Sequence, residues 1–316
     1  MSADVPTGAE QQVMAVVLTF NAPDAVERCL GSILAQTARV DSVLVVDNAS
    51  EPPFVAGSPE PAVDVLRLPE NVGPAGGYAA GLRAFLASGL GWVWLVDDDN
   101  TPRADALAMQ LRAAAARTEP TVFLATMVDR DTGAIANTHG WCGVLIPREI
   151  VKTVGTPIDD LFWWVEDTEY LQWRIPESGF ALERCDDAVV EVGLRRAERA
   201  KPAWKFYYET RNQVYYRLRV QRQTPGGPPR RHLTARVRSW RAARSVVRLG
   251  GMALLREPDG RARKLTMVAR GAVDGLRGRL GRTVAVDVAD RPLAPGAPSA
   301  SAGRVDAEEL LDLDEA

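Results

Sequence analysis

The sequence predicts an α/β fold with a mainly parallel sheet that is covered by helices on both faces. Apolar runs of strand length alternate with segments of helical periodicity from residue 13 onward. The apolar runs are continuous, which is typical of strands that are buried on both faces. Each run ends in polar residues, and ligands bind at this carboxyl edge in sheets of that kind.

Four strands are predicted in the first hundred residues, with helices between them. The apolar runs are Val13–Leu18, Ser42–Val46, Val63–Leu68 and Trp92–Val96. A helix is expected from Pro23, because proline suits a first helical turn, and a second is expected around Leu82 and Phe85, which recur at helical spacing.

Polar residues follow each of these strands. They are Thr19 and Asn21, Asp47, Asn71 with Gly76 and Gly77, and Asp97, Asp98 and Asp99. Each group taken alone is ordinary turn chemistry. Because parallel strands end at the same edge of a sheet, the four loops are expected to converge on one crevice, and their joint occurrence favours a binding site.

The acidic triplet after the fourth strand is the densest of these groups. Side chains alternate along an extended chain, so Asp97 and Asp99 are expected to point the same way and share one hard cation. Asp98 is expected to point elsewhere. The alternative is a solvated acidic turn without a ligand.

The second half of the predicted domain continues the same pattern. A helix is expected at Asp105–Ala116, and strands are expected at Thr121–Met127, Trp141–Ile146 and Ala188–Val192. His139 lies in the loop before one of these strands. An aromatic and basic helix is predicted at Trp204–Arg217.

Aromatic residues surround a second acidic group, Glu166 and Asp167, at the predicted start of a helix that continues to Arg174. Carboxylates at that position also gain from the helix dipole, which is the structural alternative. The functional interpretation is a sugar-stacking surface of Trp163, Trp164 and Tyr170 with a general base within it.

The C-terminal part is expected to be organised differently. The linker Thr224–Pro229 is followed by Ala235–Arg256, which is predicted to be an amphipathic basic helix that includes Trp240, Val247 and Leu254. This helix either packs on the main domain or contacts a membrane surface. The predicted units are a flexible N-terminus at 1–12, one domain at 13–222, a basic helical extension at 223–288 and a disordered acidic tail at 289–316.

Composition narrows the class of protein. The chain has 316 residues with 46% hydrophobic and 25% charged residues and a net charge of -3, which indicates a globular protein and gives no indication of a nucleic-acid partner. Cys29, Cys142 and Cys185 lack metal or redox spacing and are interpreted as reduced thiols in a cytoplasmic protein. The N-terminus does not resemble a signal peptide, and no segment is predicted to span a membrane.

Several motifs occur in the order seen in family 2 glycosyltransferases, which this chain resembles over roughly residues 13 to 220. They are Val16–Asn21, Val45–Ser50, Asn71–Gly77, Asp97–Asp99, and Phe162–Tyr170 followed by Arg174. The resemblance is closest to bacterial galactofuranosyltransferases and rhamnosyltransferases. Their Tyr-Tyr-x-x-Arg-Asn segment also occurs here, at Tyr207–Asn212.

The resemblance implies a GT-A fold and an inverting transfer of a sugar from a nucleotide-diphosphate donor, UDP- or dTDP-linked. It assigns Asp97 and Asp99 to a Mn2+ or Mg2+ ion and Asp167, with Glu166 beside it, to proton removal. The same resemblance places Thr19, Asn21, Asp47, Asn71, Gly76, Gly77 and Asp98 around the donor nucleotide. Trp163, Trp164, Tyr170 and His139 are expected to bind the acceptor, a cell-envelope or polyprenyl-linked glycan.

One position departs from the family pattern. Relatives often place a metal-binding histidine after the strand that is Ala188–Val192 here, but this chain has Glu191, Val192 and Gly193 instead. Three arrangements stay open: Glu191 substitutes, the acidic triplet and the diphosphate hold the metal alone, or the metal binds more weakly.

Two other classes of protein also fit parts of the pattern. A nucleotidyltransferase places carboxylates beside a nucleotide, but it would carry a basic glycine-rich loop near Val16–Pro23, which this chain lacks. A nucleotide-sugar binding module without catalysis is the other alternative. A nicotinamide dehydrogenase is disfavoured because the glycine-rich stretch follows the third strand and not the first.

Overall fold

A computed structural model describes residues 12–57, 63–136, 140–193, 200–222 and 234–286. Four predicted features lie outside the described residues: residues 1–11 of the N-terminal segment, His139, the linker Thr224–Pro229 and the acidic tail at 289–316. The described strands are β1 Val13–Thr19, β2 Ser42–Asp47, β3 Val63–Arg67, β4 Trp92–Asp97, β5 Thr101–Pro102, β6 Thr121–Asp129, β7 Ile135–Ala136, β8 Cys142–Pro147 and β9 Ala181–Val192. They form one mixed nine-stranded sheet with the order β3-β2-β1-β4-β8-β6-β9-β5, and β7 pairs with β6.

Helices cover both faces of this sheet. They are α1 Pro23–Leu34, α2 Gly73–Ser88, α3 Ala106–Ala115, α4 Arg148–Val154, the short α5 Ile175–Glu177, α6 Ala203–Leu218, α7 Ala235–Leu255 and α8 Arg261–Arg277. A π-helical segment, Thr168–Arg174, precedes α5 directly. The predicted α/β fold with a helical C-terminal extension is confirmed.

Strand β1 needs a continuous apolar sequence because it is buried on both faces of the sheet. Val13, Ala15 and Val17 face one core with α1 and α3, and the intervening residues of β1 face a second core with α2 and α4. Both sets are buried because successive side chains of a strand point to opposite faces. The N-terminal half of the sheet is parallel, with β1 paired to both β2 and β4. These three strands therefore end at one edge.

Some elements differ from the sequence prediction. Strand β9 begins at Ala181, seven residues before the predicted start, because its polar residues around Glu183 carry no apolar signal. Its pairing with β6 shifts register between Ala125 and Thr126, which accommodates a bulge. The segment from Thr168 to Arg174 has the predicted helical character but is wound as a π-helix, a form that sequence periodicity does not distinguish.

The C-terminal helices α7 and α8 pack against α6. Leu249, Ala253 and Val268 form a small core with Phe206 of α6. The apolar residues predicted to define the face of α7 do not pack there. Trp240, Val247 and Leu254 are exposed. The buried residues of the helix are Ala242, Ser245, Leu249 and Ala253.

Close contact between α8 and α6 depends on glycine. A Cβ atom at Gly271 would lie 2.5 Å from the Tyr207 backbone oxygen, and one at Gly275 would lie 2.5 Å from the Arg211 backbone oxygen. A backbone oxygen cannot rotate away as a side chain can. The absence of side chains at these two positions therefore sets the distance between the helices.

Replacing Gly271 by Ala is expected to lower the free energy of unfolding by about 1–3 kcal/mol, because the new methyl group overlaps the backbone of α6. Gly250→Ala in α7 is the matched control, since a Cβ atom there meets nothing within 4 Å. The control is expected to be neutral or stabilising by up to about 1 kcal/mol. Chemical denaturation compares the two variants, and equal effects would contradict the packing explanation.

Candidate active site

The acidic triplet lies where β4 leaves the sheet. Asp97 is the last residue of β4, and Asp98 and Asp99 form a turn that Asn100 closes with a 3.2 Å hydrogen bond from its backbone nitrogen to the Asp97 oxygen. The expected alternation of side chains therefore ends at Asp97, because the next two residues are not extended. Asp98 accepts a 2.7 Å hydrogen bond from the Thr19 hydroxyl at the end of β1. Asp99 is exposed.

Asp97 is held by groups that the sequence did not reveal. The Tyr78 hydroxyl of α2 donates a 2.5 Å hydrogen bond to Asp97 Oδ1, and Cys142 Sγ of β8 lies 3.8 Å from Asp97 Oδ2. Tyr78 was not identified because nothing in its local sequence separates it from an ordinary buried helical residue. Only the packing of α2 on the sheet brings it to the triplet.

The paired acids Glu166 and Asp167 lie near the acidic triplet, although about 70 residues separate them from it in the chain. A Cβ atom on Gly140 would lie 3.6 Å from Cys142 Sγ and 3.9 Å from Asp167 Oδ2. Cys142 in turn contacts Asp97. Asp167 therefore lies near the segment Gly140–Cys142, and its charge acts on Asp97, so the two acidic groups share one region of the structure.

Glu166 is buried and Asp167 is half-buried, and the two acids differ in their hydrogen-bond partners. Asp167 Oδ1 accepts a 2.6 Å hydrogen bond from the Thr168 backbone nitrogen, so Asp167 caps the π-helical segment. Glu166 is 5% exposed, and its Oε2 atom has no hydrogen-bond partner among the described residues. An unpaired buried carboxylate is costly, which favours a proton on Glu166.

Burial raises the pKa of the carboxyl groups in this cluster, and neighbouring carboxylates raise that of some of them further. Burial raises the pKa of Asp98 to about 7 and that of Asp167 to about 6, although hydrogen bonds from Thr19 and Thr168 oppose the change. The pKa of Asp97 rises well above its usual range through burial and then through the charge of Asp99. The pKa of Glu166 rises for the same reasons, with Asp167 as the nearest charge.

The cluster offers some of the oxygen ligands that a hard cation needs, but it does not offer a complete set. Among the described residues, no group of three or more His, Cys, Asp or Glu side chains is arranged to hold a metal ion. Two carboxylates of the triplet can still supply oxygen ligands, which Mg2+ and Mn2+ prefer, and a bound diphosphate would supply others. Glu191 forms an ion pair with Arg103, with 3.2 Å between Oε1 and Nε.

Hydrogen bonds connect the loops after the first three strands. The Asn21 backbone nitrogen donates to Ser50 Oγ at 2.9 Å, which joins the loops after β1 and β2. Asn48 Nδ2 donates to Asn71 Oδ1 at 3.2 Å, which joins the loops after β2 and β3. With the contact between Thr19 and Asp98, these bonds bring all four predicted loops together, so the loops do meet at one edge of the sheet.

Asp47 makes its interactions within the chain. Its carboxylate accepts hydrogen bonds from the backbone nitrogens of Ser50 and Phe54 and from Arg67, and it is fully buried. Burial alone would raise the pKa of Asp47, but these hydrogen bonds and the charge of Arg67 lower it. In this structure Asp47 shapes the loop after β2 and presents no exposed surface to a ligand.

The glycines of the Asn71–Gly77 motif serve packing. Gly76 and Gly77 are buried in the first turns of α2, and a Cβ atom on Gly77 would lie 2.3 Å from Leu18 Cδ1. A Cβ atom on Gly76 would lie 2.5 Å from Val72 Cγ2. The missing side chain of Gly77 lets α2 pack closely on Leu18 of β1, and the neighbouring Tyr78 reaches Asp97 from the same helix.

Aromatic residues lie next to the paired acids. Trp163 and Trp164 stack with ring centroids 4.9 Å apart, and Trp204 of α6 meets Trp163 edge-on at 5.2 Å. Trp164 is 44% exposed. Tyr170 is a correction to the predicted stacking surface: it is fully buried, and its hydroxyl donates to the Gly155 oxygen, so its ring offers no surface to a sugar here. Sequence periodicity did not associate Trp204 with this group.

Comparison with solved structures identifies the fold. A mannosyltransferase from Pyrobaculum calidifontis, solved in complex with GDP-Man and Mn2+, shares the fold with a TM-score of 0.53 at 20% identity, and the match covers 85% of this chain and 88% of the other. Staphylococcus aureus TarS 1-349, solved with UDP-GlcNAc, gives a TM-score of 0.51 at 14% identity, with coverage of 84% and 81%. The α/β fold is therefore the GT-A fold of glycosyltransferases, as predicted.

Residues 14–155 match the model of Glycosyl transferase family 2. The matched region runs from β1 to α4 and so covers the N-terminal part of the sheet, including the acidic triplet. It is 34% identical over 119 residues to galactofuranosyltransferase GlfT1 of Mycolicibacterium smegmatis. That match covers 37% of this chain and 39% of the relative, so the similar region spans about two fifths of the relative's length.

The raised pKa of Asp98 predicts how stability depends on pH when divalent cations are removed by a chelator. The folded protein keeps a proton on Asp98 that the unfolded chain releases at its ordinary pKa. This contribution to stability is therefore present at low pH and is lost as the pH rises towards about 7. We expect Asp98→Asn to flatten the fall in Tm between pH 5 and pH 7.5. Asp64→Asn, at an exposed position on β3, is the control, and parallel curves for the parent protein and Asp98→Asn would contradict the assignment.

Proposed function

We propose that this protein is a metal-dependent, inverting glycosyltransferase. It transfers a sugar of the galactofuranose or rhamnose type from a UDP- or dTDP-linked donor to a hydroxyl group of a cell-envelope or polyprenyl-linked glycan. The observation that carries the proposal is the meeting of the Asp97–Asp99 turn with Glu166 and Asp167, joined through Cys142 and Gly140. The similarity to a protein named galactofuranosyltransferase supports the choice of sugar.

Asp97 and Asp99 are the proposed ligands of a Mn2+ or Mg2+ ion, together with oxygens of the donor diphosphate. Mutual repulsion in the cluster supports this role, because a cation relieves it. A similar structure was solved with Mn2+. Since Glu191 is engaged by Arg103, we favour a metal shell completed by the diphosphate. A bound divalent ion stabilises the charge that develops on the leaving nucleoside diphosphate.

Asp167 is the proposed general base. With a pKa of about 6 it is largely ionised at neutral pH, while Glu166 retains its proton because burial and Asp167 raise its pKa further. As the acceptor hydroxyl attacks, its oxygen forms the new bond to the anomeric carbon, and the bond from that carbon to the phosphate oxygen breaks. The hydroxyl proton passes to Asp167. A single displacement inverts the configuration at the anomeric carbon.

The remaining contacts follow from the positions of the loops. Thr19, Asn21, Asn71 and Asp98 lie in the loops that we propose for the donor nucleotide, and Asp47 supports them from within. Trp163 and Trp164 are the proposed stacking surface for the acceptor, with Trp204 behind them. His139 lies outside the described residues, and its acceptor role stays a proposal.

The C-terminal extension, residues 223–288, is proposed to contact an anionic membrane surface peripherally. No helix in the described part of the chain is long and apolar enough to cross a membrane. Trp240, Val247 and Leu254 recur every seven residues along α7 and are 56%, 74% and 50% exposed. Helix α7 contains five arginines and no acidic residue, and Arg244 lies over the Trp240 ring. An exposed apolar stripe with tryptophan and flanking arginines is typical of helices that lie in a membrane interface.

Conservative substitutions separate the two proposed acidic roles. Asp167→Asn is expected to lower kcat by a factor of about 10² to 10⁴, because proton removal is lost while the shape of the side chain is kept.

Asp99→Asn is expected to weaken the response to Mn2+ and to raise the metal concentration that gives half-maximal activity. Donor turnover measured at increasing metal concentration tests both variants. Retained turnover in Asp167→Asn would overturn the assignment of the base, and donor binding without turnover in the parent protein would identify a binding module instead.

The membrane contact predicts a loss of binding in the double variant Trp240→Ser with Val247→Ser. Sedimentation with phosphatidylglycerol vesicles is expected to show an affinity reduced about tenfold or more, because two apolar side chains no longer leave water. Ile135→Ser removes an exposed apolar residue of β7 and serves as the control. Equal binding of the parent protein to phosphatidylcholine vesicles, or unchanged binding of the double variant, would contradict the proposed surface.

A further inference from the structure

The segment before the paired acids has an unusual backbone. Phe162, Trp164 and Val165 have φ values of +63°, +75° and +77°, a region that residues with large side chains rarely adopt. Phe162 also forms a tight γ-turn, closed by a 2.7 Å hydrogen bond from the Trp163 nitrogen to the Leu161 oxygen. Such a conformation is strained, so neighbouring groups must hold it in place.

Asn212 of α6 supplies the main contacts to this segment. Its Nδ2 atom donates hydrogen bonds to the backbone oxygens of Leu161, Trp163 and Trp164 at 2.9, 2.8 and 2.8 Å. Asn212 is fully buried. Only the NH2 end of the amide can donate to carbonyl oxygens, and because it has two hydrogens, one of them is shared between two of the three oxygens.

Arg211 determines the orientation of that amide. Its Nε atom donates to Asn212 Oδ1 at 2.8 Å, which leaves the Asn212 nitrogen directed at the segment. Arg211 Nη2 also donates to the Leu161 oxygen at 2.8 Å, and Nη1 donates to the Gly281 oxygen at 2.6 Å. A fully buried guanidinium is costly unless its donors are satisfied, and backbone oxygens satisfy these.

The contacts act on the acids through the chain. Val165 directly precedes Glu166 and Asp167, and its oxygen accepts a 2.7 Å hydrogen bond from the Glu169 nitrogen, which begins the following helical winding. On the other side, the Ala75 nitrogen of α2 donates to the Phe162 oxygen at 3.2 Å. The segment is thereby fixed between α2, which also carries Tyr78, and α6.

We propose that Asn212, oriented by Arg211, is a positioning residue that holds Phe162–Val165 in its strained conformation and so sets Asp167 opposite Asp97 and Asp99. The inference rests on the proposed role of Asp167 as the base. It assigns a function to Arg211 and Asn212, the Arg-Asn pair that ends the Tyr-Tyr-x-x-Arg-Asn motif, which the transfer reaction itself does not use. A displacement of about 1 Å at the base can lower a rate about 100-fold.

Asn212→Asp is the sharpest test, because it keeps the size of the side chain and replaces the donor by an oxygen that repels the three carbonyls. We expect kcat, expressed per donor-binding site, to fall about 100-fold. The Kd of the donor nucleotide should stay within about twofold of the parent value. Arg211→Lys keeps the charge but loses the bond to Asn212 Oδ1, and a smaller fall of about tenfold is expected. Calorimetry counts the binding sites, so loss of folded protein is not mistaken for loss of turnover.

Tyr207→Phe is the matched control on α6. It removes the hydrogen bond from the Tyr207 hydroxyl to Asp274 in α8 and should lower Tm while kcat per site stays unchanged. The proposal is overturned if Asn212→Asp keeps kcat within about twofold, or if its kcat per site falls no further than that of Tyr207→Phe at equal loss of Tm.

A parent protein without transferase activity would overturn the proposed function and leave the positioning claim testable by other means. The near-ultraviolet circular dichroism of the stacked Trp163 and Trp164 reports the segment directly. We expect this signal to change in Asn212→Asp and to persist in Tyr207→Phe. An unchanged signal in Asn212→Asp would overturn the positioning role whether or not the parent protein is active.

Discussion

Repulsion between buried carboxyl groups is the constraint on which the rest of this site depends. Asp97 and Asp99 come from one strand end, and Glu166 and Asp167 from a helix start far along the chain. Burial raises the pKa values of Asp97, Glu166 and Asp167, and neighbouring carboxylates raise those of Asp97 and Glu166 further. A cation bound among these groups would relieve their repulsion.

The scaffold keeps these groups together from several directions. Gly77 lets α2 pack closely on Leu18 of β1, and the Tyr78 hydroxyl reaches Asp97 from the same helix. Helix α6 holds the segment before Glu166 through Arg211 and Asn212. Glycines of α8 in turn bring α8 against the backbone of α6. The C-terminal helices therefore belong to the support of the site, in addition to any contact that their exposed face makes.

Sequence reasoning succeeded where local pattern decides structure. Strand β1 and helix α1 begin at the predicted residues, because a continuous apolar run and a proline in the first turn are local signals. The convergence of the four loops followed from the geometry of parallel strands. The assignments that came from family resemblance, such as the base at Asp167, stay proposals, since their positions are known and their chemistry is untested.

The order of the elements, the α/β class and the two acidic groups could be predicted from the sequence, because periodicity and the residues at strand ends are encoded within short windows. Which side chains face the crevice depends on how the elements pack. Tyr170 is buried, Gly76 and Gly77 serve packing, and Trp240, Val247 and Leu254 lie on the exposed face of α7. Burial depends on contacts between residues far apart in the chain, and a local pattern of apolar residues does not specify its partner.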